Sequence, residues 1–193
     1  MAEKNNKIKF GLKNVHRAKI INTDGVIAYG TPTPIKGAVT LSVSPEVTRT
    51  AIPADDNPEY AVVIEDNGYA GDIEFQYLSD EDRVEIFGNK LNEDGVLVEN
   101  KDDTPNPIAL LFEFSGDAHG TRHILYNCLC TKPNVESETG KTNKTDKMPI
   151  TARPAEDTGH VKAKVANKAA TKSVYDGWYK NVYIPEGTAA EEE

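Results

Sequence analysis

The chain has 193 residues, of which 38% are hydrophobic and 27% are charged, and its formal net charge is -9. This length fits one β-rich domain, and the apolar content is sufficient for a packed core. The acidic balance argues against a protein that wraps nucleic acid, because tight binding to phosphates needs many Lys and Arg contacts. The first residues lack the apolar core of a signal peptide, and no run approaches the roughly 18 apolar residues of a membrane helix. We therefore expect a protein that is made and kept in the cytoplasm, without a membrane partner.

The charge is unevenly distributed along the chain. Residues 44–110 contain 17 acidic and 4 basic side chains. The first thirteen residues, which we call the N-terminal arm, have the opposite sign because of four lysines: Lys4, Lys7, Lys9 and Lys13. A basic segment can dock on an acidic neighbouring copy, since complementary potentials fix the register between subunits. The alternative interpretation is a solvated terminus.

Short apolar runs bounded by Gly, Pro, Asn and Asp predict a chain made mainly of β-strands. In residues 37–44, Val39, Leu41 and Val43 alternate with polar residues, as in a half-buried strand. Residues 66–68 read Asp-Asn-Gly, a composition typical of a tight hairpin turn. The predicted strands are residues 15–21, 37–44, 60–65, 70–78, 96–98, 108–115, 122–131, 148–152, 161–165 and 173–184.

One segment, residues 79–88, has the pattern of a helix. Ser79 can cap it, Asp82 lies at the third helical position of a capping box, and a glycine follows the last turn. Val84 and Phe87 are expected to pack together against a sheet. Many strands with one short helix predict a mainly β fold, an antiparallel β-sandwich or flattened barrel, whose centre is the pair of long apolar runs in the second half of the chain.

Residues 45–59 are predicted to form a long loop between two strands. Loops of this length in a compact domain usually bind something, because ordinary hairpin connections have about 2 to 5 residues. The cluster of Asp55, Asp56, Asn57 and Glu59 has oxygen ligands that suit calcium, but the spacing is not that of an EF-hand. A solvated acidic loop is the other interpretation.

The rest of the chain divides by composition. We expect residues 1–186 to form a single domain, in which the polar residues 132–147 are a mobile loop. Residues 187–193 end in three glutamates and are expected to be a disordered acidic tail.

No set of residues has the spacing of a catalytic site. His119, Arg122 and His123 could bind an anion or a metal, but on an extended chain these side chains do not converge as they would on a helix. Cys128 and Cys130 lie on one face of a predicted strand, where small core residues are the expected role. The sequence therefore predicts neither an enzyme nor a cofactor or metal site.

The order and spacing of segments in the first two-thirds of the chain resemble the major tail protein family of bacteriophages with long, non-contractile tails. The similarity weakens after about Thr131. The segments that carry it are residues 11–20, 29–32, 35–46, 68–74, 79–82, 88–90, 94–97 and 107–114.

The resemblance implies a structural virion protein, a tail-tube subunit that self-assembles into stacked hexameric rings. The resulting tube would conduct the genome into the host without binding DNA specifically, and an acidic lumen would repel phosphates. Implied partners are other copies of the chain, the tape-measure protein, tail chaperones, the tail terminator and the distal tail or baseplate proteins. The implied location is the virion tail, assembled in the cytoplasm of the bacterial host.

Two parts of the sequence match the regions that join rings in this family. One is the N-terminal arm with its four lysines. The other is the long inter-strand loop, whose candidate contact residues are Pro45, Glu46, Arg49, Pro53, Asp55, Asp56, Asn57, Pro58 and Glu59.

Two alternatives remain open from the sequence. A β-sandwich that binds carbohydrate or a host surface has the same strand pattern, and Trp178 with Tyr175, Tyr179 and Tyr183 could stack on sugars. Another virion protein, such as a decoration or tail-joining protein, would differ in copy number.

Overall fold

A computed structural model describes residues 10–140 and 144–185, and its architecture is mainly antiparallel β. The strands are β1 (Leu12–Thr23), β2 (Val26–Tyr29), β3 (Thr33–Pro34), β4 (Ala38–Ala54), β5 (Asn57–Phe75), β6 (Lys90–Leu91), β7 (Leu97–Val98), β8 (Ile108–Phe114), β9 (Arg122–Cys130), β10 (Asp146–Arg153) and β11 (Lys162–Val165). The helices are α1 (Asp80–Phe87) and α2 (Lys172–Gly177), the latter preceded by a 3-10 turn, Ala169–Thr171. The predicted mainly β fold with a short helix at residues 79–88 is confirmed.

Nine strands form one sheet in the order β2-β1-β8-β9-β10-β5-β4, with β3 paired to β1 and β11 paired to β9. Strands β6 and β7 form a separate pair. The sheet curls so that β4 approaches β1. The Ile35 N–H donates to the Val15 carbonyl at 2.8 Å, which holds the chain before β4 against β1. Strands β8 and β9 lie in the middle, as predicted for the central pair.

The central strands are buried on both faces, so that their side chains alternate between two cores. On β8, Ile108, Leu110 and Phe112 enter the first core, and Ala109 and Leu111 enter the second. The first core lies inside the curl of the sheet, where α1 and strands β5 and β10 close it. Its largest fully buried contributions from these elements are Ile73, Phe75, Ile86, Phe87 and Ile150.

The second core is covered by the C-terminal segment, where the predicted strand at residues 173–184 is wrong. This segment forms α2 and the turns after it, because the Trp178 side chain is only 1% exposed and packs against β8 and β9. The Trp178 indole N–H donates to the His123 carbonyl at 3.4 Å, and the Tyr126 hydroxyl donates to the Tyr183 carbonyl at 2.8 Å. Tertiary packing therefore decides the conformation of these aromatic residues.

The cap of α1 agrees with its sequence pattern. The Ser79 hydroxyl accepts from the Asp82 backbone N–H and donates to its carboxylate, and Gly88 ends the helix with φ 71°. The predicted core pair is partly wrong: Phe87 is fully buried, but its buried companion is Ile86, whereas Val84 is only half-buried. At eight residues the helix depends on this packing.

Helix α1 is also held by a buried ion pair. Arg17 Nη1 on β1 lies 2.7 Å from Asp82 Oδ1, and both side chains are about one-tenth exposed.

We expect Asp82→Asn to lower the free energy of unfolding by about 3 kcal/mol, because the buried Arg17 guanidinium loses its counter-charge. Urea denaturation measures this change. Glu81→Gln is the matched control, since Glu81 is an exposed carboxylate on the same turn. Equal effects of the two substitutions would contradict the structural importance of the ion pair.

Candidate assembly surface

The longest strands, β4 and β5, form a hairpin that extends beyond the body of the sheet. They pair with each other from Ala38↔Phe75 to Ala54↔Asn57, whereas β10 pairs only with residues 69–75 of β5. In the described part of the chain, no third strand therefore pairs with residues 46–67, which we call the hairpin arm. The nine residues 46–54 correspond to roughly 30 Å of projection.

Local sequence explains why the arm is a hairpin and not the predicted long loop at residues 45–59. Its strands are rich in β-branched residues, which favour extended structure. Asp55 and Asp56 have φ of 50° and 58°, the left-handed conformation that a two-residue turn requires and that aspartate tolerates. The Asn57 side chain then accepts from the Glu59 N–H at 3.0 Å. The connection thus has two residues, and its flanks are strand.

The predicted turn at residues 66–68 is also wrong, because these residues lie within β5. Gly68 has φ 97°, and a Cβ at this position would lie 1.9 Å from the Ala152 carbonyl oxygen. The glycine permits a bulge in β5 beside β10, where the arm leaves the sheet. The chain does not reverse there, as it would in a turn.

The hairpin arm exposes apolar side chains on both faces. Residues opposite each other on paired strands share a face. Ile64 lies opposite Arg49 on one face, while Val63 lies opposite Thr50 on the other. Every residue from 47 to 66 is exposed except the half-buried Ala54. The exposed large apolar residues are Val47, Ile52, Tyr60, Val62, Val63 and Ile64.

Such an arm is unfavourable in water as an isolated element. A two-stranded hairpin is marginally stable alone, and among residues 10–140 and 144–185 no strand pairs with either outer edge of this one. Exposed apolar surface of this extent usually marks an interaction site. The prolines at positions 45, 53 and 58 remove backbone donors near the ends of the arm, which limits indiscriminate strand pairing.

The base of the arm is tied to β10 by one side chain. Arg153 Nη1 donates to the Asn67 carbonyl at 3.0 Å and lies 2.9 Å from Glu46 Oε2, so that it contacts both strands of the hairpin. Across the hairpin, the Asn67 side chain donates to the Thr48 hydroxyl at 2.8 Å. These contacts fix the direction in which the arm leaves the body.

All the residues proposed for the long inter-strand loop lie on this hairpin. Pro45 is exposed and lies opposite Tyr69, where the hairpin still belongs to the sheet, and the half-buried Glu46 is held by Arg153. Arg49 Nη2 donates to Glu59 Oε1 at 2.8 Å, with both side chains more than half exposed. Pro53, Asp55, Asp56, Asn57 and Pro58 form the tip and its flanks. Within the described part of the chain, no three His, Cys, Asp or Glu residues are arranged to hold a metal ion.

The structure describes only the end of the predicted N-terminal arm. Lys4, Lys7 and Lys9 lie outside the described residues. Lys13 is a strand residue of β1 and not part of a loose arm, and its Nζ lies 3.6 Å from Glu113 Oε2. The Phe10 and Gly11 carbonyls accept from the backbone of residues 115 and 116, so the attachment to the sheet begins before β1.

The residues considered for chemistry are used in packing. Arg122 Nε donates to Glu113 Oε1 at 2.9 Å, and its guanidinium lies 3.7 Å from the centroid of the Tyr175 ring. The His123 ring stacks on Phe112 with centroids 5.2 Å apart. His119 lies in the turn before β9, where its N–H donates to the Asp117 carboxylate. These three side chains therefore do not form one site.

The two cysteines have the role predicted from their spacing. Cys128 and Cys130 are fully buried on one face of β9. Burial raises the pKa of the Cys130 thiol to about 12 and that of Cys128 well above its usual range. Both thiols are therefore protonated and unreactive at neutral pH.

The proposed sugar-stacking platform does not lie on the surface as a unit. Trp178 is buried, and Tyr175 is 9% exposed. The Tyr179 hydroxyl donates to Glu113 Oε1 at 3.0 Å, and the desolvated position of this hydroxyl beside a carboxylate raises its pKa. Tyr183 stacks on Trp178 with ring centroids 5.8 Å apart. These aromatic residues therefore mainly pack as part of the second core.

The polar segment at residues 132–147 has no regular structure before β10 begins at Asp146, in the part that the structure describes. Lys132 Nζ lies 2.9 Å from Glu99 Oε1 and ties its start to the chain after β7. Residues 141–143 and the predicted tail at 187–193 lie outside the described residues. Within the described ranges, no helix has the length and apolar character needed to cross a membrane.

No protein-family model matches the sequence, and no curated protein matches it either.

The exposed apolar residues of the hairpin arm were not predicted from the sequence. Residues 60–65 were expected to be an ordinary strand of the body, yet Val62, Val63 and Ile64 lie on the arm. The signal that was available is the β-branched residues on either side of Asp55 and Asp56, within residues 47–52 before them and residues 62–64 after them.

We expect Gly68→Ala to reduce the free energy of unfolding by more than 2 kcal/mol, because it adds a clash with the Ala152 carbonyl to the cost of a left-handed alanine. Chemical denaturation provides the measurement. The control is Gly95→Ala: Gly95 has φ 76° but nothing within 4 Å of a Cβ, so only the backbone cost of about 1 kcal/mol applies. If Gly68→Ala lowers the free energy of unfolding no more than Gly95→Ala does, the close approach of Gly68 to the Ala152 carbonyl is contradicted.

Proposed function

We propose that this protein is a structural subunit that self-assembles through its hairpin arm, and that the assembly is the tube of a long, non-contractile bacteriophage tail. The arm is the observation that carries the proposal. It holds six exposed large apolar residues on a two-stranded element, and in a protein built for the monomeric state such an element would be a liability.

The ends of the sheet support assembly from identical copies. Strand β2 lies at one end of the sheet and the hairpin arm extends from the other, so the two surfaces are unlike. Unlike surfaces that meet head to tail make heterologous contacts, which close into rings or continue as filaments. A tube of stacked rings needs contacts that close each ring and contacts that continue from one ring to the next.

The resemblance of the first two-thirds of the chain to tail-tube subunits selects this assembly among those possible. The net charge of -9 also suits a conduit for DNA, since an acidic wall does not retain phosphates. The proposal requires no catalytic group, in keeping with the structural roles of Arg122, His123 and the cysteines.

The purified protein, alone or with tape-measure protein and tail chaperones, should form rings or tubes visible by negative-stain electron microscopy. The double variant Val62→Thr/Ile64→Thr keeps β-branched side chains on the arm but makes them polar. We expect it to remain monomeric in sedimentation velocity experiments, with an unchanged melting temperature because both residues are exposed in the subunit.

The control is Val96→Thr, since Val96 is 53% exposed beside β7, far from the arm in sequence. This variant should assemble normally. A wild-type protein that stays monomeric at high concentration even with its partners would contradict the proposed function. Normal assembly of the arm double variant would contradict the role of the arm.

A further inference from the structure

The hairpin arm is strongly acidic. Residues 46–67 carry six carboxylates and one arginine. The arginine is already paired, because Arg49 contacts Glu59 at 2.8 Å. A surface that receives this arm must therefore supply positive charge as well as apolar or backbone contacts.

A second surface of the chain has the opposite charge. Residues 161–180 contain five lysines and a single acidic residue, Asp176. Asp176 is paired within α2, where its carboxylate contacts Lys172 at 2.6 Å. Three of the lysines are exposed on β11 and directly after it, and we call them the lysine edge: Lys162, Lys164 and Lys168.

Strand β11 offers a backbone edge at the same place. It pairs with β9 from Lys162↔Leu125 to Val165↔Arg122, and in the described part of the chain no other strand pairs with it. Val165 is buried and Ala163 half-buried against the second core, so the alternate side chains of Lys162 and Lys164 point away from the core. The exposed Lys164 and Lys168 thus place ammonium groups beside this edge, while the Lys162 ammonium lies 5.3 Å from the centroid of the Tyr69 ring on β5.

Lysines on an edge strand discourage pairing with neutral or basic strands. The same lysines favour an acidic strand, because opposite charges stabilise the encounter and set its register. The charge pattern therefore discriminates among partners that could add to this edge.

We propose that the lysine edge of one copy receives the acidic hairpin arm of a second copy. This inference rests on the self-assembly proposed above and assigns the receiving surface. The occupant is a second copy and not the subunit's own arm, since every residue from 47 to 66 except Ala54 is exposed within its own subunit.

A zero-length carbodiimide cross-linker joins a lysine to a carboxylate only when they touch. We would apply it to an equimolar mixture of ¹⁴N and ¹⁵N wild-type protein at high concentration and identify the linked peptides by mass spectrometry. Mixed-isotope links should join Asp55, Asp56, Glu59 or Glu65 to the lysine edge. Links of these carboxylates only to Lys4, Lys7 or Lys9, or no mixed-isotope links from them, would overturn the inference.

Charge exchange gives an independent test. Lys164→Glu/Lys168→Glu and Glu59→Lys/Glu65→Lys should each weaken self-association about tenfold or more at roughly 0.1 M salt, because each juxtaposes like charges. The variant with all four substitutions restores complementarity and should associate within about threefold of the wild type. Sedimentation velocity measures the association, and circular dichroism verifies folding.

The matched control is Lys90→Glu/Lys101→Glu, which reverses two exposed lysines outside the lysine edge and should have little effect. If the variant with all four substitutions is folded but does not regain self-association, the docking inference is overturned. If the wild type forms tubes but the reversals change nothing, the proposed function stands and the receiving surface is wrong. If the wild type neither assembles nor cross-links, both are wrong.

Discussion

The central strands β8 and β9 have apolar side chains on both faces, and the rest of the fold is arranged to cover them. Water must be excluded from both faces, because a face left exposed would lose the burial free energy of several large aliphatic side chains. The curl of the sheet, with α1 inside it, covers one face. The C-terminal segment covers the other through Trp178 and Tyr175. Polar contacts then hold these covering elements in place: Arg17 on β1 pairs with Asp82 on α1, and the Tyr179 hydroxyl of the C-terminal segment donates to Glu113 on β8.

The hairpin arm breaks this pattern. The same two strands, β4 and β5, are half-buried where they belong to the sheet and exposed on both faces beyond Gly68. The change occurs where β10 ends, and Arg153 marks the boundary by holding Glu46 and Asn67. An element that is covered on neither face contributes little to the stability of its own subunit. Its apolar residues are explained if contact with other copies completes their burial.

Local signals were sufficient for some elements. The cap formed by Ser79 and the terminating Gly88 act within a few residues of the helix, so α1 could be located from the sequence. The two longer strands in the second half of the chain were predicted to be the central pair, and the apolar side chains of β8 and β9 suit burial on both faces. The buried cysteines followed from the two-residue periodicity of a strand.

Other elements depend on partners that a local pattern does not contain. The acidic and proline residues between 45 and 59 suggested a loop, but cross-strand pairing of residues 47–54 with 57–66 makes a hairpin. Residues 173–184 have the aromatic content of a strand, but they form a helix and turns because in this conformation Tyr175 and Trp178 pack against β8 and β9. Of the candidate site, its location and charge were therefore predictable, while its conformation and exposed apolar residues were not.

If the protein assembles through its arm, the arm is uncovered in the free subunit and covered in the assembled particle. Amide hydrogen exchange of residues 47–66, measured before and after self-association, detects this difference. We expect fast exchange on the open edges of the arm in the monomer and strong protection in assembled particles. Assembled particles whose arm amides exchange as fast as those of the monomer would contradict it.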